Sequence, residues 1–155
     1  MDPNRLEYLV NTYETTLYRA ALAILRDAHE AEDAVQDAFL RCIEKAPEWE
    51  NPAHEKAWLL RVTVNGCKSR LRSPWRRRTA PLLDTYPAAG PEEQTLLEAI
   101  GHLPAKYRTV LHLYYYEGYQ TAEIAEMTGW REGTVRSRLT RARARLGALL
   151  KGDLQ

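Results

Sequence analysis

Cysteine is scarce in this chain of 155 residues, and the two present, Cys42 and Cys67, have no metal-ligand spacing around them. Neither a disulfide framework nor a zinc site is expected; Cys42 falls within an amphipathic segment and reads as a buried free thiol. Long apolar runs are missing as well. None approaches the roughly 18 residues that span a bilayer, and no signal peptide is read at the start, so the expectation is a soluble, cytoplasmic protein without membrane insertion. Glycine-rich phosphate loops and nucleophile motifs are absent too. The string His29-Glu-Ala-Glu-Asp33 puts His29, Glu32 and Asp33 on adjacent helical turns, a pattern from which helical bundles build metal sites. A second ligand set is lacking, because His54, His102 and His112 have no carboxylates at matching spacing. No metal, no cofactor and no catalytic residue is therefore expected.

Net charge is nearly lacking, at +1, which taken alone argues against nucleic acid. Its distribution argues the other way. Residues 1–50 carry 5 basic and 11 acidic side chains, residues 51–80 carry 8 and 1, residues 81–130 carry 2 and 7, and residues 131–155 carry 7 and 2. Charge alternates in blocks, so two basic surfaces are expected beside two acidic ones. Two basic surfaces suit DNA contacted at two places; the acidic ones suit protein partners or solubility.

With 45% hydrophobic and 28% charged residues the chain is globular, and its periodicity is helical throughout, which gives an all-α fold class. Pro3 opens a first helix to about residue 25, with Leu6, Leu9, Val10, Tyr13, Leu17 and Ala21 on one face. Asp27 is a plausible N-cap for a second helix to about residue 46, whose inward face holds Ala31, Ala34, Val35, Ala38, Phe39, Cys42 and Ile43. A loop over residues 47–54 leads to a third helix from about Glu55 to Arg72, with Trp58, Leu59, Val62 and Leu71 inward. Between residues 73 and 91 the period breaks and Pro74, Pro81, Pro87 and Pro91 appear, the mark of a flexible linker between two small helical domains, residues 1–72 and 92–155. In the second domain a helix ends near Gly101, and Pro104 opens another that runs to about Tyr116 and stops at Gly118.

The last stretch is the most informative. Ile124, Ala125 and Met127 can face inward from a short helix, and Gly129 sits where the chain must bend, accepting positive φ at little cost. In the helix that follows, Val135, Leu139, Ala142, Leu146 and Leu149 recur every three or four residues, while Arg136, Ser137, Thr140 and Arg141 fall on another face. This is a helix-turn-helix with a basic recognition helix, whose N-terminal half can enter a major groove.

Three strings resemble the bacterial RNA polymerase sigma factors. Ala31-Glu-Asp-Ala-Val-Gln-Asp-Ala-Phe39 is similar to their core-polymerase-binding helix. Ala57-Trp-Leu-Leu-Arg-Val-Thr-Val-Asn65, followed by basic residues, resembles the helix that reads the −10 promoter element. Glu123-Ile-Ala125 with Gly133-Thr-Val-Arg-Ser-Arg138 and Arg141-Ala-Arg143 is similar to the −35-reading motif. The short length points to the extracytoplasmic-function (ECF) subgroup, with residues 1–72 as a region 2-like domain and residues 92–155 as a region 4-like domain. The resemblance implies core RNA polymerase (β′ and β subunits) and promoter DNA as partners, and family members are commonly held inactive by an anti-sigma partner.

On this resemblance, Asp33, Gln36 and Asp37 would make polar contacts with polymerase, flanked by Phe39 and Ile43. The loop residues Trp49, Glu50, Asn51, Pro52 and Ala53, with Asn65 reaching from the helix, would hold a flipped −10 base. An aromatic ring can stack on such a base and an amide can pair with its polar edge. Lys56, Arg61, Lys68, Arg70 and Arg72 would neutralise phosphates, while Trp58 reads either as core or as a second stacking ring. At the −35 element Arg136, Ser137, Thr140 and Arg141 would lie near bases, with Arg131, Arg138, Arg143 and Arg145 divided between phosphates and solvent. Gln120 and Arg131 stand where the family usually has a Ser or Thr cap, and Tyr114, Tyr115 and Tyr116 cannot all share one helix face. The competing class is a stand-alone helix-turn-helix repressor or activator, which leaves Asp33, Gln36, Trp49 and Asn65 without roles.

Overall fold

A computed structural model of the chain describes residues 1–73 and 91–154. The segment read as a linker lies almost wholly outside the described residues. Among those described the fold is all-α, with seven α-helices, one π-helical turn and no strand. The chain divides into two compact units, Met1–Leu82 and Leu83–Gln155.

The first unit holds α1 (Pro3–Leu25), α2 (Ala28–Lys45) and α3 (Pro52–Leu71), each packed on the other two. Local chemistry sets their ends. The Asp2 carboxylate accepts from the Asn4 N–H at 3.1 Å, and Pro3 follows it at the first helical position, where a missing N–H costs nothing. Asp27 Oδ1 accepts from the Glu30 N–H at 3.0 Å and opens α2. Arg26 and Ala46 close α1 and α2 in the left-handed region, each donating its N–H to a carbonyl four residues back, at 2.8 Å. The third helix starts earlier than its periodicity suggests. Asn51 caps it, accepting from the His54 N–H at 3.0 Å, and Pro52 is its first residue. Pro52, Ala53 and His54 are therefore helical, and only residues 46–51 separate α2 from α3.

The core of this unit joins Leu9, Leu17 and Leu25 of α1, Ala31, Ala34, Ala38 and Cys42 of α2, and Leu59, Leu60, Val64 and Cys67 of α3. Neither cysteine is in a disulfide and both are buried; burial pushes the Cys42 thiol pKa up, which keeps it protonated and inert. The buried face of α3 departs from the expected one. Leu59 is central, but Trp58, Val62 and Leu71 are only half-buried, and Leu60, Thr63, Val64 and Cys67 take their place. Thr63 enters an apolar core because its hydroxyl donates to the Leu59 carbonyl at 2.8 Å. On α2 the inward face is as expected except for Ile43, which is exposed.

The second unit holds α4 (Pro91–Gly101), α5 (Ala105–Leu111), a π-helical turn (His112–Tyr116), α6 (Thr121–Thr128) and α7 (Glu132–Leu154). The helices α4, α5 and α6 all pack on α7. Arg108, buried, donates from Nη1 to the Leu103 carbonyl at 2.5 Å and ties the α4–α5 turn. The helix opened by Pro104 does not run as α-helix to Tyr116; the Glu117 N–H donates to the His112 carbonyl, five residues back, at 3.0 Å. Gln120 stands at the N-cap of α6, and its N–H donates to Glu123 Oε1 at 3.0 Å. Gly129, at φ 77°, ends α6 with its N–H on the Ala125 carbonyl at 2.9 Å. Ile124, Met127, Val135, Leu139 and Ala142 are buried at the helix-turn-helix core, while Ala125, Leu146 and Leu149 are half-buried.

Candidate functional site

In the second unit, burial of Val135, Leu139 and Ala142 turns the opposite side of α7 outward. Arg136, Thr140 and Arg141 are exposed there and Ser137 is half-buried. The Ser137 hydroxyl donates to the Thr134 carbonyl and the Thr140 hydroxyl to the Arg136 carbonyl, both at 3.1 Å, leaving each oxygen free to accept. Arg136 Nη1 donates to Glu132 Oε1 at 3.0 Å, and the Thr121 hydroxyl donates to the same oxygen at 3.0 Å. The first turn of α7 is thereby tied to the first turn of α6. Arg131 is exposed at the head of α7.

The remaining arginines of α7 lie against aromatic rings. Arg138 lies over the Trp130 ring at 4.3 Å. Arg143 donates to the Tyr115 hydroxyl and lies over the Tyr114 and Tyr115 rings at 5.6 and 5.4 Å. Arg145 lies over Tyr107 at 5.1 Å. Each guanidinium covers an aromatic face, which is a packing role that periodicity alone does not reveal. Of the three consecutive tyrosines, Tyr114 is half-buried and Tyr115 and Tyr116 are exposed.

In the first unit, Arg61, Asn65, Lys68 and Arg72 form one stripe along α3, spaced by four, three and four residues. Arg61, Asn65 and Arg72 are exposed and Lys68 is half-buried. Lys56 is off this stripe, on the side of the helix that carries Leu60 and Thr63. Arg70 Nη2 donates to Asp37 Oδ2 at 2.6 Å, which joins α3 to α2. At the head of α3 the loop residues are already engaged. Asn51 Oδ1 is the cap, Glu50 is exposed 3.8 Å from His54, and Trp49 meets Trp58 edge to face at 5.6 Å between ring centroids. Trp49 is only half-exposed, so one side of its ring is already covered.

On α2, Asp33, Gln36 and Asp37 are exposed on one face. Leu40, 59% exposed, stands at its centre, one turn after Gln36 and Asp37. The family resemblance does not point to Leu40, although its spacing from those residues places it on the same face. Phe39 is buried rather than offered to solvent, and with Leu40 and Ile43 it lines a groove of about 750 Å³ whose other wall is Leu6, Val10 and Tyr18 of α1.

The sigma-70 region 2 family matches residues 9–77, and the sigma-70 region 4 family matches residues 93–146. The ECF RNA polymerase sigma factor SigM of Mycobacterium tuberculosis is 37% identical over 154 residues, covering 96% of this chain and 79% of that protein. The ECF RNA polymerase sigma factor SigL of the same organism is 32% identical over 150 residues, covering 84% and 80%. In solved structures, the sigma factor RpoE in complex with the anti-sigma factor NepR from Bartonella quintana aligns with a TM-score of 0.78 at 26% identity, covering 94% of this chain and 96% of that one. Region 2 and region 4 follow each other along this chain, and the chain belongs to the extracytoplasmic-function sigma factors of bacterial RNA polymerase.

Proposed function

We propose a division of labour for the sigma factor's role in promoter-specific initiation. The exposed face of α2, Asp33, Gln36 and Asp37 around Leu40, docks on core RNA polymerase beside the groove that Ile43 borders. The loop from Trp49 and the first turn of α3, with Asn65, hold a base of the −10 element, and Arg61, Lys68 and Arg72 follow the phosphates. Arg136, Ser137, Thr140 and Arg141 read the −35 element from the major groove, with Arg131 on an adjacent phosphate. Residues 1–72 and 92–155 act as the two binding domains, in the cytoplasm, and the chain makes and breaks no bond itself. An anti-sigma protein, such as the one RpoE is bound to in its solved complex, is proposed as a further partner.

One observation carries the −35 assignment: four polar side chains stand outward on the half of α7 whose other side anchors the helix-turn-helix. Arginine suits that place because its fork donates twice to a guanine edge, each good bidentate contact contributing about 1–3 kcal/mol of discrimination. Replacing Arg136 and Arg141 by Ala together is expected to reduce initiation from a −35-dependent promoter by about a hundredfold or more. Affinity for core polymerase should stay unchanged. Normal initiation by the double variant in a reconstituted transcription assay defeats this placement.

A further inference from the structure

Where the loop between α2 and α3 meets α1, the first unit buries a carboxylate. Glu55 stands in the first turn of α3 with 4% of its surface exposed. A buried carboxylate without partners is costly, and here α1 meets both of its oxygens. The Tyr13 hydroxyl donates to Oε1 at 2.7 Å, and the Arg5 guanidinium donates to Oε2. The same Tyr13 hydroxyl is 3.4 Å from the Pro52 carbonyl oxygen. The same Arg5 guanidinium lies over two rings, Trp49 at 5.8 Å and Tyr8 at 5.1 Å. Trp49 is then held from another side by Trp58.

This cluster joins three pieces of chain that local sequence does not join: the first turns of α1, the loop, and the head of α3. A buried ion pair adds little net stability, because desolvation offsets most of the attraction; when every lone pair is met it imposes one geometry instead. Arginine is suited to that task, since one edge of its fork can bind a carboxylate while its plane covers a ring. The loop has only residues 46–51 to place, and it is fixed at one end by Ala46 and at the other by the Asn51 cap. Trp49 is the side chain in its middle, and its ring lies between the Arg5 guanidinium and Trp58. Arg5 and Tyr8 also precede the stretch matched by region 2, which begins at residue 9.

We infer that Arg5, braced by Glu55 and Tyr13, is a positioning residue for −10 recognition: its stack on Trp49 sets where the loop presents its recognition groups. This rests on the proposed assignment of residues 49–53 to the −10 base. Displacing a preorganised group by about 1 Å can cost up to a hundredfold, so the effect shows in selectivity, beside the stability lost when the buried Glu55 is left with one partner fewer.

The test uses polymerase reconstituted with the full chain. Open-complex formation is measured on a parent promoter and on templates with each −10 base substituted in turn, and the ratio of parent to worst template is the readout. A chain that is merely unstable loses signal on all templates and keeps the ratio. Arg5→Met, which keeps the stem and loses the fork, should lower the ratio by about tenfold. Arg5→Lys, which keeps a charge for Glu55 but no flat face for Trp49, should lower it by a smaller factor. If Arg5→Met does not assemble with polymerase, the Arg5→Lys ratio decides alone, a fall supporting the inference and a wild-type value overturning it. Wild-type ratios for the Arg5 variants with a reduced ratio for Asn65→Ala overturn the inference and leave the −10 assignment standing. Wild-type ratios for Arg5, Glu50→Ala and Asn65→Ala variants alike defeat the assignment, and the inference with it.

Discussion

Leu40 is an apolar side chain set among Asp33, Gln36 and Asp37 on an exposed helix face. A single exposed leucine needs no explanation, but this one borders an apolar groove and sits at the centre of the face proposed to meet polymerase. Burying a leucine contributes about 1.5–3 kcal/mol, or about ten- to a hundredfold in affinity. Leu40→Asp is therefore expected to weaken binding to core polymerase by at least about tenfold. Its melting temperature should hardly move, because an exposed position contributes little to folding. Asp37→Asn should do much less, since Asp37 already spends an oxygen on Arg70 and exposed ion pairs are weak. Titration of labelled chain with core enzyme checks both, and equal effects would place the contact elsewhere on α2.

Along α3 the proposed unit of function is the stripe, not the residue. Arg61 and Arg72 stand at its two ends, both exposed. If the stripe follows the DNA backbone, replacing either by Ala should weaken holoenzyme binding equally on all −10 sequences. Each should also reduce the slope of log affinity against log salt by about 1. Lys56→Ala, off the stripe, should leave the slope unchanged; a loss there equal to that of Arg72→Ala would mean the backbone runs over another face. The ends of α1, α2 and α6 were legible in the sequence because Pro3, Asp27 and Gly129 act within one turn of themselves. The head of α3 was not: Asn51 and Pro52 form a strong cap together, but two prolines and a tryptophan nearby gave the look of a loop. The phase of α3 was misread for a related reason. Trp58 and Val62 suggested one inward face, while packing between α1 and α2 selects the one with Leu60, Val64 and Cys67. Arg5 with Glu55, and Arg143 with Tyr115, are 50 and 28 residues apart, and no local period carries such pairs.

At the scale of the whole molecule, each unit holds a tyrosine whose ionisation opposes folding, Tyr13 buried in the first and Tyr119 half-buried in the second. In the second unit Tyr119 is pushed from its usual 10.0 to about 12, by burial first and then by Glu117 and Glu123. In the first unit Tyr13 is raised as well, by burial and by its hydrogen bond to Glu55. A folded-state pKa above the unfolded one means the native chain keeps a proton the unfolded chain has lost. Below about pH 10 both states are protonated and the contribution is fully present; it is lost as pH rises through about 12. Thermal melts from about pH 9 to about pH 12 should show falling stability in both units. Tyr119→Phe should flatten the fall in the second unit alone, and an unchanged profile would refute the assignment. The blocks of charge were readable from composition, because each unit carries its own basic helix face.

The cap on α3 has a chemical corollary for any base brought to the loop. Asn51 turns its amide oxygen toward the His54 N–H, at 3.0 Å, which occupies one of that oxygen's two lone pairs and leaves both N–H donors of the amide nitrogen unused by the cap. A nucleobase that faces the amide nitrogen is read by its lone pairs: a carbonyl or ring nitrogen is welcomed there, an exocyclic amine is not. A nucleoside analogue stripped of that lone pair should lose capture by the wild-type chain, and indifference to the swap would show the amide to be a bystander.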